Sequence, residues 1–419
     1  VINTWFLLLC PLVRRRLLLS PSGGIFRLPE WNLTRLLMLQ RLLRQLQHVV
    51  TALGLLIGIL IGAELWLRTA RPRRTPPVAT QADVVDQSWL VPSATQHHQM
   101  RPLTEVTSDC HGIRFRTNSL GLRGPEPDLQ ADPEKLRVVL LGDDTVLGMS
   151  LKQEHTLSFQ LQKHLAVHLN GTVEVVNAGV PGYSPVLSLL QYDQDLGRLH
   201  SDIVVLHFDM SDVADESIHR GRLRMDGSRA VCIHPLLLEN DSSTNPLLSI
   251  ARGSVLANAV CKQFLEVSDQ VTDTERYAWT RTVPGNVETH IRHAMDSVSQ
   301  LRDKTKQANQ VLILTTSPVM WQVLTPEYNR SISLRYGITG RHPVTDDMPF
   351  QILSAWSRQS GVPLCNPVQV FRSFEAPEKL FPSDSPRLSV YGTALYAREL
   401  ARTILRTPTA VAGRLRTVR

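Results

Sequence analysis

The sequence predicts an α/β domain in which a parallel sheet is covered by helices on both faces. Two observations carry this class. From residue 136 onward, short apolar runs alternate with longer stretches whose apolar residues recur at helical spacing. The apolar runs are also nearly continuous, as in strands buried on both faces, rather than alternating with polar residues. No internal repeat is visible.

The elements follow in order. "LRVVLL" (136–141) is the first strand, and it stops in Gly-Asp-Asp-Thr. "EHTLSFQLQKHLAVHL" (154–169) is a helix, and "VEVVNAG" (173–179) the second strand. "SPVLSLLQYDQDLGRL" (184–199) is a helix opened by Ser184 and Pro185, whose fixed φ suits a first helical turn. "DIVVLHF" (202–208) is the third strand. Residues 213–285 lose the rhythm and read as an insertion. A helix over 288–307 and "VLILTT" (311–316) restore it. A helix over 346–360 leads to "VPLC", a short fifth strand, and "LSVYGTALYARELARTIL" (388–405) is a closing amphipathic helix. Ahead of the sheet, "GIRFRTNSLGLRGPE" (112–126) predicts a hairpin turning at Asn118 to Gly121.

Charge divides the chain. Residues 1–75 hold 11 basic and 2 acidic side chains, whereas the remainder holds 34 and 36. The net charge of +7 therefore belongs to the N-terminal segment, which argues against a nucleic-acid-binding domain. "HVVTALGLLIGILIGAELWL" (48–67) carries one charge, Glu64, and has about the 20 residues needed to span a bilayer. Seven arginines lie in 1–47 and four in 68–74, so the positive-inside rule favours a cytoplasmic N-terminus and an extracytoplasmic globular part. Read from Met38, the same stretch has the basic and apolar regions of an uncleaved signal anchor. The expected plan is a basic segment (1–47), a transmembrane helix (48–67), a linker (68–111), the domain (112–406) and a basic tail (407–419). The five cysteines form no CxxC pair, which disfavours zinc on cysteine; a Cys232–Cys261 disulfide is the shortest available loop. His97, His98 and His111 read as surface residues.

In a sheet of this type ligands bind beyond the carboxyl ends of the strands. Four loops qualify: "GDDTVLG" (142–148), "NAGVPGYS" (177–184), "HFDMSDVAD" (207–215) and "PSDSPRLSVYG" (382–392). Together they resemble the conserved blocks of the SGNH (GDSL-type) hydrolase superfamily, and "FRTNSLGLRG" is similar to the lead-in of its membrane-anchored members. The resemblance covers about 115–405 and implies a three-layer, flavodoxin-like α/β/α fold and ester hydrolysis without a cofactor or metal.

Carried over residue by residue, the family's nucleophilic serine falls on Asp144 and its oxyanion-hole glycine on Gly179. Its oxyanion-hole asparagine falls on Ser211, its catalytic acid on Asp384 and its catalytic histidine on Arg387. Three of these five roles are changed. A guanidinium stays protonated and cannot act as the base. A carboxylate such as Asp144 would give a labile anhydride on attacking an ester. Serine is too short to aim the asparagine's donor, and losing one such donor costs about 10²–10³ in rate. The expectation is a degenerate member whose Arg387 bridges Asp144 and Asp384. The alternative is an active esterase on acyl groups of cell-envelope glycans, with a displaced nucleophile or base. Thr145 and His207 are the candidates for those roles. Asp143, Asp144, Asp209, Asp212 and Asp384 offer the oxygens of a divalent-cation site, but Arg387 in the same site opposes a metal.

Overall fold

The computed structural model describes residues 38, 41–42, 44–52, 54–55, 58–59 and 62, and then 89–108, 112–130, 132, 134–238, 277, 287–339 and 347–411. The chain divides into two compact units, 1–73 with 254–256, and 74–253 with 257–419. In the first unit the described residues are helical, and Val49, Val50, Leu55 and Ile59 are exposed. Among the described residues no helix is long and apolar enough to cross a membrane. The expected span, 48–67, lies only partly within them. Residues 1–37, 68–88 and 412–419, and with them most of the basic segment, the first half of the linker and most of the tail, lie outside the described residues.

The second unit opens with two short antiparallel pairs, β1 (Leu90–Pro92) with β2 (His98–Met100) and β3 (Glu105–Ser108) with β4 (Ile113–Arg116). The second half of the expected linker is therefore folded. The hairpin expected within 112–126 is displaced, because Ile113–Arg116 pairs upstream with β3. The turn at 118–121 is present, with Asn118 Oδ1 accepting from the Leu120 and Leu122 amides at 2.9 Å each.

The central sheet is built from β5 (Lys135–Gly142), β6 (Thr172–Gly179), β7 (Ile203–His207), β10 (Val311–Thr315) and β11 (Leu364–Cys365). All its pairings are parallel, in the order β11-β10-β7-β5-β6. Numbered along the chain this is 2-1-3-4-5, the flavodoxin-like order. Val138 to Leu141 and Val204 to Leu206 are buried on both faces, which explains their unbroken apolar runs. Helices α2 (Leu157–His168) and α8 (Val390–Leu405) pack together in one layer, α1 (Asp144–Leu147) being the short turn after β5. Helices α3 (Pro185–Gln191), α4 (Asp212–Gly221), α5 (Val287–Gln307) and α7 (Met348–Ser360) form the other, and α6 (Arg330–Arg335) lies between β10 and β11 in the chain.

Three expectations change. The helix expected over 184–199 ends at Gln191, and a wide π turn, Tyr192–Leu196, brings Gln194 and Asp195 to the Gln96 amide. The expected insertion begins with the regular helix α4, followed by the hairpin β8 (Leu223–Asp226) and β9 (Arg229–Cys232). Cys232 is a buried free thiol that donates to the His219 carbonyl at 3.6 Å, so it is not paired with Cys261, which lies outside the described residues.

His97 and His98 are also not surface residues; His111 lies outside the described ones. His97 packs against the rings of His98, His219 and His234 at 5.1, 5.0 and 4.6 Å. Arg222 donates to His97 Nε2, His97 and His98 share a 2.8 Å contact between their Nδ1 atoms, and His98 Nε2 donates to the Pro181 carbonyl. Burial, with the other charges of the cluster behind it, pulls His97 down to about 3 and His98 to about 4, so both rings are neutral at pH 7.

Candidate functional site

The strand order reverses between β5 and β7, and the crevice beyond their carboxyl ends is where an open α/β sheet places its chemistry. Gly142 turns the chain there with φ +150, and a Cβ would sit 2.8 Å from Val146 Cγ2 and 2.9 Å from His207 Cβ. Asp143 then caps α1, its Oδ1 accepting the Thr145 amide at 2.9 Å. The far end of α1 is held by Arg123, from the lead-in segment. Its buried guanidinium donates to the carbonyls of Leu147 (3.1 Å), Gly148 (2.6 Å) and Leu151 (2.6 Å) and lies over the Phe115 ring.

Asp144, which the resemblance aligns with a serine, is 6% exposed and accepts a hydrogen bond from Arg387 Nη2, which the resemblance aligns with a histidine. Burial alone would lower the affinity of Arg387 for its proton, but Asp144, Tyr277 and Asp143 more than reverse that. Asp384 lies exposed three residues upstream on the same loop. Ser211 is buried, and both its amide and its hydroxyl donate to Asp209 Oδ1 at 2.6 Å. Its hydroxyl is thus committed to a neighbouring carboxylate. Gly179 is wedged against α1, where a Cβ would lie 2.3 Å from the Leu147 amide nitrogen. Its own N–H donates to Asn177 Oδ1 at 3.1 Å, and Asn177 Nδ2 donates in turn to the Val146 carbonyl at 2.9 Å. In this geometry Gly179 serves close packing of strand against helix. Thr145 is half-buried on α1.

Below the ion pair lies a buried group that the alignment of family positions does not single out. His207 is 1% exposed, Asp143 and Asp209 are each 4% exposed and Asp212 is 1% exposed. His207 Nε2 is 3.1 Å from Ser317 Oγ, and its Nδ1 is 3.6 Å from Asp143 Oδ1. Asp212 Oδ2 accepts the Asp209 amide at 2.8 Å. Burial works against a charged Asp143, yet His207, Arg387 and the Thr145 amide outweigh it and hold this carboxyl below its usual value. Burial and the neighbouring Asp143 push Asp209 up; burial with Asp209 and Asp143 pushes Asp212 up further. Ser317 lies two residues beyond β10, in "TTSP", a strand end outside the four loops that the sequence singles out. Its signal was available, since every strand of a parallel sheet delivers its carboxyl end to the same edge.

Tyr277, from within the expected insertion, is buried in edge-on contact with Trp321 and Tyr336, each at 5.2 Å. These tyrosines are near enough to Arg387 to favour its charged form.

No protein-family profile matches the chain, and no curated protein sequence matches it. Solved structures do. A lipase/acylhydrolase from Enterococcus faecalis is 12% identical and aligns over 64% of this chain and 95% of its own, with a TM-score of 0.37. An acetyl xylan esterase is 11% identical over 64% of this chain and 100% of its own, with a TM-score of 0.36. A GDSL-like lipase from Bacteroides thetaiotaomicron is 13% identical over 66% and 89%, with a TM-score of 0.31. The α/β class is assigned by the chain's own strand order, 2-1-3-4-5, and it is at the switch point of that order that Asp144 and Arg387 meet.

Proposed function

We propose that this protein is a degenerate SGNH-type hydrolase-like domain, held at a membrane by residues 48–67, whose ester-cleaving centre has become a structural ion pair. The observation that carries the reading is the hydrogen bond from Arg387 to Asp144 at the two positions where the family resemblance implies a nucleophile and its base. A carboxylate already engaged by a permanent cation has neither the hydroxyl nor the proton acceptor that acyl transfer requires. The commitment of the Ser211 hydroxyl to Asp209 also supports it, because no oxyanion donor is then supplied from that loop. The remaining role is binding, with an acylated envelope glycan as the ligand class that the resemblance implies. The charge asymmetry of the N-terminal segment supports a globular part outside the cytoplasm.

The test is hydrolysis of short-chain nitrophenyl esters by the full chain in detergent. The expected result is no turnover above the buffer blank, with activity gained by the triple variant Asp144→Ser, Ser211→Asn, Arg387→His. Turnover by the wild type that Asp144→Ala or Thr145→Ala abolishes would overturn the reading. A second reading rests on the Ser317–His207–Asp143 contacts, in which Ser317 is a displaced nucleophile. Turnover that survives Asp144→Ala and disappears in Ser317→Ala would establish it. The 4% exposure of Ser317 weighs against it, since an attacking hydroxyl has to meet its substrate.

A further inference from the structure

We propose that Asp143, His207 and Asp209 form a binding site for a divalent transition-metal ion of the zinc class. One ligand atom from each of the three, all buried, lies within 4.8 Å of the others. The independent observation is the imidazole: His207 Nδ1 is buried without a hydrogen-bond partner and faces Asp143 Oδ1 at 3.6 Å. That distance is too long for a hydrogen bond. A buried ring nitrogen that faces a carboxylate without a hydrogen bond is placed to serve as a metal ligand. Asp212 brings a further buried oxygen beside Asp209, Oδ1, which also has no partner.

The surroundings of these atoms are those of a metal site. A metal-ligating histidine donates its other ring N–H to a nearby acceptor, which fixes the tautomer and the ring plane. Here Ser317 Oγ lies 3.1 Å from Nε2. Asp209 Oδ1 is fixed by the Ser211 amide and hydroxyl, and Asp143 Oδ1 by the Thr145 amide. Among the described residues no lysine or arginine pairs with Asp143, Asp209 or Asp212. Arg387 still acts on Asp143, and its ion pair with Asp144 offsets part of its repulsion of a cation. One imidazole with carboxylates favours zinc, manganese or iron over calcium and magnesium, which prefer six or more oxygens. Binding requires the ligand atoms to close from their present spread to the 2.0–2.2 Å metal–ligand distances typical of zinc. The site stands whether or not the cleft turns over esters. It assigns His207 the tautomer with the proton on Nε2, opposite to the one a Ser317 nucleophile would need.

The experiment titrates the full chain in detergent with Co²⁺, followed by its visible absorption, and then displaces it with Zn²⁺. Saturation at one ion per chain is expected, with binding at least tenfold weaker in His207→Gln and in Asp209→Asn. Absence of a saturable Co²⁺ spectrum, or unchanged binding in both variants, would overturn the proposal. Should either variant fail to fold by circular dichroism, X-ray absorption of the zinc-loaded wild type decides. Scattering from a single imidazole supports the site, and scattering from two or more transfers the metal to the His97 cluster and refutes it.

Discussion

Breaking the Asp144–Arg387 pair one partner at a time should give unequal costs. The carboxylate is 6% exposed and the guanidinium 33%. Arg387→Gln takes the cation from a buried carboxylate, the change that costs about 3–5 kcal/mol when both partners are fully buried. Asp144→Asn leaves a guanidinium with a third of its surface in water. Its cost falls toward the 0.2–1 kcal/mol of solvent-exposed pairs. Interpolating between these limits, Arg387→Gln should cost roughly 2–3 kcal/mol and Asp144→Asn about 1 kcal/mol, with a coupling energy near 1.5 kcal/mol. The double variant should therefore be more stable than the sum of the single losses implies. Urea unfolding of the full chain and the three variants, followed by far-UV circular dichroism, measures all four corners of the cycle. A coupling below about 0.5 kcal/mol, or equal costs for the two single variants, would refute the view that the pair is an enclosed lock.

Three further outcomes follow from the same structure. Arg123→Ala removes a donor from the Leu147, Gly148 and Leu151 carbonyls, of which Leu147 keeps Asn177 Nδ2 and Gly148 the Leu151 amide, and should cost about 2 kcal/mol in urea unfolding. Arg123→Lys should recover less than half of this, since an ammonium cannot reproduce the planar fork. Gly179→Ala places a methyl group 2.3 Å from the Leu147 amide and should destabilise by about 2–3 kcal/mol, read as a lowered urea midpoint. Acid should also weaken the fold through His97 and His98. Their folded-state values, about 3 and about 4, lie below the unfolded 6.5, so the unfolded chain binds more protons across that interval. Their contribution is complete above pH 6.5 and is lost as pH falls toward 4. Between pH 7.5 and 5 the loss is about 2 kcal/mol per histidine, and His97→Gln should flatten the measured slope of stability against pH.

The sheet was legible because its strands are written in residues with no other use: Val138 to Leu141 and Val204 to Leu206 are too apolar for any surface. The helix Val287–Gln307 was legible because its apolar face repeats over many turns. The strands before residue 112 were not, because three or four residues are too few to show a period, and β1 and β2 acquire meaning only against Cys232 on a distant hairpin. The burial of His97 is hidden from the sequence for the same reason. Its neighbours His219 and His234 are more than a hundred positions away. At the site, the loops revealed where Asp144, Ser211 and Arg387 stand. What those side chains touch depends on rotamers and cross-chain approach. The Ser211 turn toward Asp209, the Asn177 capture of the Gly179 amide and the Ser317–His207 contact were invisible until the strands were side by side.

The ion pair joins residues 243 positions apart in the chain. Closing so long a loop carries its full entropic cost before the contact returns anything, so contacts of this kind form after the local ones. The bond is expected to be absent at the folding barrier and present only beyond it. Its energy slows escape from the native state and leaves the rate of reaching that state untouched. Whatever else the two positions do, an ion pair between them lengthens the lifetime of the folded chain.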